Sequence, residues 1–157
     1  VSWEKRLLMD YTAYRFPLFI DLNGRKIVIV GGGTIALRRA EICLAFGADV
    51  TIIAPECKAV PDGAVFLQRM YQEGDLAGAF LAVAATNCRE VNCQVGREAK
   101  KSGIFVSVAD RKEESTFFFP AICTGSGLVA GVVSQGSEHK KTAAAAEKIR
   151  TVLEGLE

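Results

Sequence analysis

The stretch Lys26-Ile27-Val28-Ile29-Val30-Gly31-Gly32-Gly33-Thr34-Ile35-Ala36 decides the fold. KIVIV is a continuous apolar, mostly β-branched run without polar alternation, the pattern of a parallel strand buried on both faces. Three glycines end it. Thr34 is expected to cap a helix in which Ile35, Ala36, Ala40, Cys43 and Leu44 recur largely at three- and four-residue spacings, and Gly47 stands where a helix-ending glycine belongs. This strand-turn-helix unit fits the pattern G-x-G-x-x-A. Gly31 permits the tight turn, Gly33 lets a pyrophosphate approach the backbone, and Ala36 allows close helix-strand packing. The first-turn amides, of which Thr34 and Ile35 are part, receive the phosphate charge. A Walker-type loop needs Gly-Lys-Ser/Thr at the helix start, and Arg38-Arg39 come too late and lack the hydroxyl, which argues against triphosphate hydrolysis.

Outward from this unit the same alternation continues. Asp49–Ala54 is predicted as a second strand, Val65–Gln68 as a third, Phe80–Ala85 as a fourth and Ile104–Val108 as a fifth, with a helix over 90–101 opened by Thr86-Asn87 and stopped near Gly103. Strands alternating with helices imply an α/β fold, a Rossmann-type doubly wound parallel sheet. Ligands of such sheets sit at the carboxyl ends of the strands, and the predicted map brings Gly31, Pro55, Thr86 and Asp110 to four of those ends. Glu56, just after the second strand, stands near where an acid usually grips the adenosine ribose; a solvated loop acid is the competing reading. No arginine follows that strand to meet a 2′-phosphate, so NAD is favoured over NADP. Asp110 is the candidate proton acceptor beside the cofactor, with a helix cap or an ion pair with Arg111 or Lys112 as the plainer alternative.

After the charged run Asp110–Glu114 the pattern changes. Thr116–Ile122 and Leu128–Val133 read as two strands joined by Thr124-Gly125-Ser126-Gly127, and an Ala-rich helix is expected from Lys140 to about Leu153. The expected division is a Rossmann domain over 1–113 and a short α+β dimerisation tail over 114–157. The tail carries Phe117, Phe118, Phe119, Val129 and Val132 with little chain to cover them, and a second copy is the natural cover. His139, the sole histidine, lies in a polar run and reads as a solvated loop residue more readily than as a ligand. The first eight residues carry no motif and read as a linker.

The 157 residues are half hydrophobic, with 19 Lys+Arg against 18 Asp+Glu, so no basic excess points to nucleic acid or an anionic membrane. The apolar runs fall far short of a membrane span and nothing near Val1 reads as a signal peptide, which places the expected location in the cytoplasm. Five cysteines without a CxxC pair read as reduced, mostly buried thiols, and no metal site is expected.

Phe16-Pro17-Leu18-Phe19, Gly24-Arg25-Lys26, the glycine loop, Ala84-Ala85-Thr86-Asn87, Val91-Asn92, Val108-Ala109-Asp110 and Thr116-Phe117-Phe118-Phe119-Pro120-Ala121 together resemble the precorrin-2 dehydrogenase family, which also forms the N-terminal module of siroheme synthases. The resemblance spans roughly 16–136. It implies oxidation of the tetrapyrrole precorrin-2 to sirohydrochlorin with NAD⁺, a homodimer with interlocking tails and, in some relatives, insertion of Fe²⁺ in the same cleft. Asp110 matches the aspartate assigned to both steps. The sequence departs from the family after Ser134, where Gln135-Gly136-Ser137-Glu138-His139-Lys140 replaces the usual turn, and this bears on the chelatase step. Two competing readings are an NAD-sensing Rossmann module without chemistry and a detached cofactor domain of another oxidoreductase.

Overall fold

The computed structural model describes residues 11–136 and 138–156. The linker expected over the first eight residues lies outside them. The chain forms two compact units: Ile20–Phe118, and a second that joins the N-terminal segment through Phe19 to everything from Phe119 onward. The division thus falls between Phe118 and Phe119 rather than at the expected 113/114, and residues 11–19 go with the tail.

The larger unit is built on β1 (Lys26–Val30), α1 (Thr34–Ala45), β2 (Asp49–Ala54), β3 (Val65–Gln68), β4 (Leu81–Ala84), α2 (Arg89–Lys101) and β5 (Phe105–Val108). All neighbouring strands pair in parallel, in the order β3-β2-β1-β4-β5, so the order reverses at β1. Ile27, Val28, Ile29 and Val30 are all buried, and since successive side chains of a strand point to opposite faces, both faces of the sheet are covered. Val28, Val30, Ala82, Ala84, Val106 and Val108 pack in one cluster with Val95 and Ala99 of α2. Helices do not fill every connection. The chain from β3 to β4 is irregular and is pinned by polar contacts instead: Arg69 forms a two-pronged pair with Asp75 at 2.7 and 2.8 Å, and the Tyr71 hydroxyl donates to Glu98. The hydrogen bonds from Arg69 hold the Asp75 carboxyl below its ordinary range.

In the smaller unit β6 (Ala121–Gly125) and β7 (Leu128–Val132) form an antiparallel hairpin against α3 (His139–Glu154). The first tail strand is shorter than expected because Pro120 has no N–H to donate to a ladder; the amides of Thr116 and Phe117 donate to Val106 O instead. The turn is the two-residue Ser126-Gly127, both at positive φ (47° and 72°), which suits a tight hairpin. Its small core comprises Cys123, Ala146 and Leu153. The cysteines are free, but Cys43 and Cys123 alone are fully buried, so "mostly buried" does not hold: Cys88 is exposed. Burial pushes the Cys43 thiol up to about 11.

Candidate functional site: one edge of the parallel sheet

The strand register lines up the expected ligands' strand ends. Val30 pairs with Ile53 on one side and Ala84 on the other, and Ala84 pairs with Val108. The ladder runs on past the strands: Gly31 N–H donates to Ile53 O, Ala85 N–H to Val30 O and Ala109 N–H to Ala84 O, each at 2.9 Å. Gly31, Pro55, Thr86 and Asp110 therefore leave the sheet on the same edge, with Asp110 two strand spacings, roughly 10 Å, from the glycine turn.

Each glycine of the loop has a different job. Gly31 has φ +127°, and a Cβ there would lie 2.3 Å from Ala85 O, so both conformation and close approach require glycine. A Cβ on Gly32 would lie 2.0 Å from Glu56 O, so this residue lets the Pro55-Glu56 segment sit against the loop, a role that the motif reading left unassigned. A Cβ on Gly33 would meet nothing within 4 Å: the loop opens there onto free space, as a cradle for a ligand must. Gly33, not Thr34, is the helix N-cap, and Leu37 N–H to Gly33 O is the first helical bond, at 3.0 Å. The amides of Thr34, Ile35 and Ala36 precede it and have no partner within the helix, the arrangement that receives phosphate oxygens. Ala36 is fully buried, as close packing on the sheet demands, whereas Ile35 is exposed. These residues fit a dinucleotide pyrophosphate.

At the other strand ends side chains do the work. Thr86 turns inward: its hydroxyl lies 2.9 Å from Cys88 O and 2.7 Å from Asn92 Oδ1, and accepts the Cys88 N–H at 3.1 Å. Asn87, one residue on, is exposed. Asp110 is also exposed, and its ion-pair partner is Arg89, at 3.5 Å, rather than Arg111 or Lys112. Arg89 also binds Glu114, whose carboxyl this hydrogen bond holds below its ordinary range. Sequence reasoning missed Arg89, and it named Asn92 only as part of the family resemblance, without a role. Asn92 carried a signal, since it is a polar residue on the buried stripe shared with Val95 and Ala99; Arg89 carried none, because its pairing depends on where β5 ends. His139 is exposed at the first position of α3, in the smaller unit. Among the described residues no group of three or more His, Cys, Asp or Glu side chains could hold a metal ion, and no helix is long and apolar enough to cross a membrane. A cavity of about 410 Å³, lined by Gly74, Leu76, Ala79, Glu98 and Ile104 among others, lies toward the opposite edge, where β4 and β5 begin.

A family of NAD(P)-binding domains matches residues 18–121. The chain belongs to this family. It is 44% identical over 149 residues to the probable multifunctional siroheme biosynthesis protein HemA of Ruminiclostridium josui, covering 88% of this chain and 28% of that protein. It is 38% identical over 151 residues to siroheme synthase 2 of Aeromonas salmonicida, covering 92% and 30%. The chain thus spans under a third of the length of these curated relatives. Among solved structures it is similar to SirC, precorrin-2 dehydrogenase, with a TM-score of 0.72 and 27% identity, covering 88% of this chain and 71% of SirC. The resemblance to the precorrin-2 dehydrogenase family and the Rossmann-like α/β class expected from the sequence both hold, and the family's cofactor is a nicotinamide dinucleotide.

Proposed function

We propose that the chain is an NAD-dependent dehydrogenase that oxidises precorrin-2 to sirohydrochlorin in siroheme biosynthesis. The observation that carries this reading is the open glycine loop sharing one sheet edge with the exposed carboxylate of Asp110, in a chain whose relatives are named for siroheme synthesis. When bound, NAD⁺ supplies a two-electron acceptor; precorrin-2 gives up a hydride and a proton, and the products are sirohydrochlorin, NADH and H⁺. The amides of Thr34 to Ala36 hold the pyrophosphate. Glu56, exposed and held beside Gly32, accepts hydrogen bonds from the ribose and repels a 2′-phosphate, which favours NAD over NADP. Pro55 and Asn87 flank the same edge, and Thr86 supports it through its internal bonds. Asp110 takes the proton or orients the macrocycle; its pair with Arg89, at 3.5 Å, leaves the carboxylate exposed.

The functional form is a homodimer through the tail. Phe16, Leu18, Phe19, Leu128, Val129 and Val133, all in the smaller unit, are between 42% and 87% exposed, a set of large apolar side chains that a second copy would cover. Light scattering at micromolar concentration should give twice the chain mass.

The decisive experiment is an anaerobic assay of precorrin-2 with NAD⁺ or NADP⁺, followed by the absorbance of sirohydrochlorin, with Fe²⁺ added afterwards to test insertion. Turnover with preference for NAD⁺ is expected. NAD⁺ binding without turnover would favour the sensing module instead.

A further inference from the structure

Asn92 is wholly buried, yet it is a polar residue in the first turn of α2, and buried amides persist where hydrogen bonds satisfy them. All the bonds its side chain makes here go to one residue. Its Oδ1 accepts the Thr86 N–H at 3.0 Å and lies 2.7 Å from the Thr86 hydroxyl, while its Nδ2 donates to Thr86 O at 3.1 Å. Both main-chain groups of Thr86 are thereby committed to a helix rather than to a ligand. The same peptide forms the wall against the glycine turn: a Cβ on Gly31 would lie 2.3 Å from Ala85 O and 3.2 Å from Thr86 N.

We propose that Asn92 is a positioning residue for dinucleotide binding: by clamping Thr86 from below, it sets the gap between the ends of β1 and β4, where the sheet order reverses and the cofactor must cross. The inference rests on the reading of the glycine loop as a dinucleotide site. Asn92 touches no ligand itself. It acts through the Ala85-Thr86 peptide, which the exposed Asn87 follows directly. Thr86 owes its place at the site to its main chain, not to a hydroxyl offered to the cofactor.

The test is calorimetric titration of NAD⁺ into the whole chain and its variants under conditions where each is folded. Asn92→Ala should raise the Kd about tenfold, the usual consequence of leaving polar partners unsatisfied and mobile. Val95→Ala removes buried methyl groups from the same helix and should lower Tm while leaving the Kd within about twofold, because the hydrogen bonds from Asn92 to Thr86 remain intact. Equal affinity for Asn92→Ala and wild type, or an equal loss in Val95→Ala, overturns the inference and leaves the dinucleotide reading standing. Absence of NAD⁺ binding by the wild type, or undiminished binding by Gly33→Val, defeats the dinucleotide reading and the inference with it. Should Asn92→Ala fail to fold, hydrogen exchange in the wild type decides: a Thr86 amide as slow as that of Val83 supports the clamp, and exchange at the rate of a free loop overturns it.

Discussion

The two halves of the sheet edge are built by opposite means. At the ends of β1 and β2 the site is main chain: three glycines, the first-turn amides of α1 and the Glu56 carbonyl, brought together because side-chain atoms are missing. At the ends of β4 and β5 it is side chain: Thr86 and Asn92 in one hydrogen-bonded knot, Arg89 with Asp110 and Glu114 in another. A cradle made by omission recognises what all dinucleotides share, the phosphate backbone. A cluster of charged and amide groups can discriminate between substrates and move protons. The glycine half therefore fails when one carbon is added, and the polar half when one functional group is deleted.

The largest effect expected from this division is on turnover. Asp110→Asn keeps the shape but removes the basic oxygen, and the rate of precorrin-2 oxidation should fall by roughly 10²–10⁴-fold if the residue is the base. NAD⁺ affinity should be unchanged, since the phosphate donors proposed above, the amides of Thr34 to Ala36, belong to the other half. Wild-type turnover would reduce Asp110 to an ion-pair partner of Arg89.

A pair of glycine variants separates folding from binding within the first half. Gly31→Ala combines a positive φ with a 2.3 Å approach to Ala85 O and should cost roughly 1–3 kcal/mol, read as a fall in Tm. Gly33→Val places its side chain in open space; the Tm should hold while NAD⁺ affinity drops about tenfold or more, because the side chain occupies the pyrophosphate position. The reverse outcome, stability lost at Gly33 and affinity at Gly31, would dissolve the distinction between turn and cradle.

The smallest effect concerns acid. The hydrogen bond from Arg89 lowers the Glu114 carboxyl, so the folded state binds its proton less readily than the unfolded chain does. Its stabilising contribution is complete above the ordinary glutamate range, about 4.3, and disappears as the pH falls through the lower folded value. Tm measured against pH should show a small difference between wild type and Arg89→Gln near neutrality that shrinks on acidification. A difference that grows toward low pH would contradict the pairing.

Much of the glycine half was legible in the sequence because its logic is local. A buried strand, a turn that tolerates only glycine and a helix start occupy eleven consecutive residues, and the roles of Gly31 and Ala36 follow from spacing alone. The role of Gly32 was hidden because its neighbour, Glu56, is twenty-four positions away and meets it only when β1 and β2 pair in register. In the other half Asp110 could be found as an acid after a strand, but its partner could not. Arg111 and Lys112 are nearer in sequence, yet α2 brings Arg89 to the end of β5. The expected tail strand over Thr116–Ile122 held only at Ala121 and Ile122, for a similar reason: three phenylalanines suggested a strand, while Pro120 and the pull of Val106 on two amides held the segment before it irregular.

The sequence by itself determined the class of the fold, the order of its strands along the chain and the place of the glycine turn, since each is written in hydrophobic period and in residues with special backbone freedom. Only the tertiary structure decided which groups face one another across the sheet edge: Gly32 with Glu56, Thr86 with Asn92, Asp110 with Arg89. Those pairings depend on register and on helix docking, and both are set by close packing of the whole buried sheet rather than by any residue's own preference.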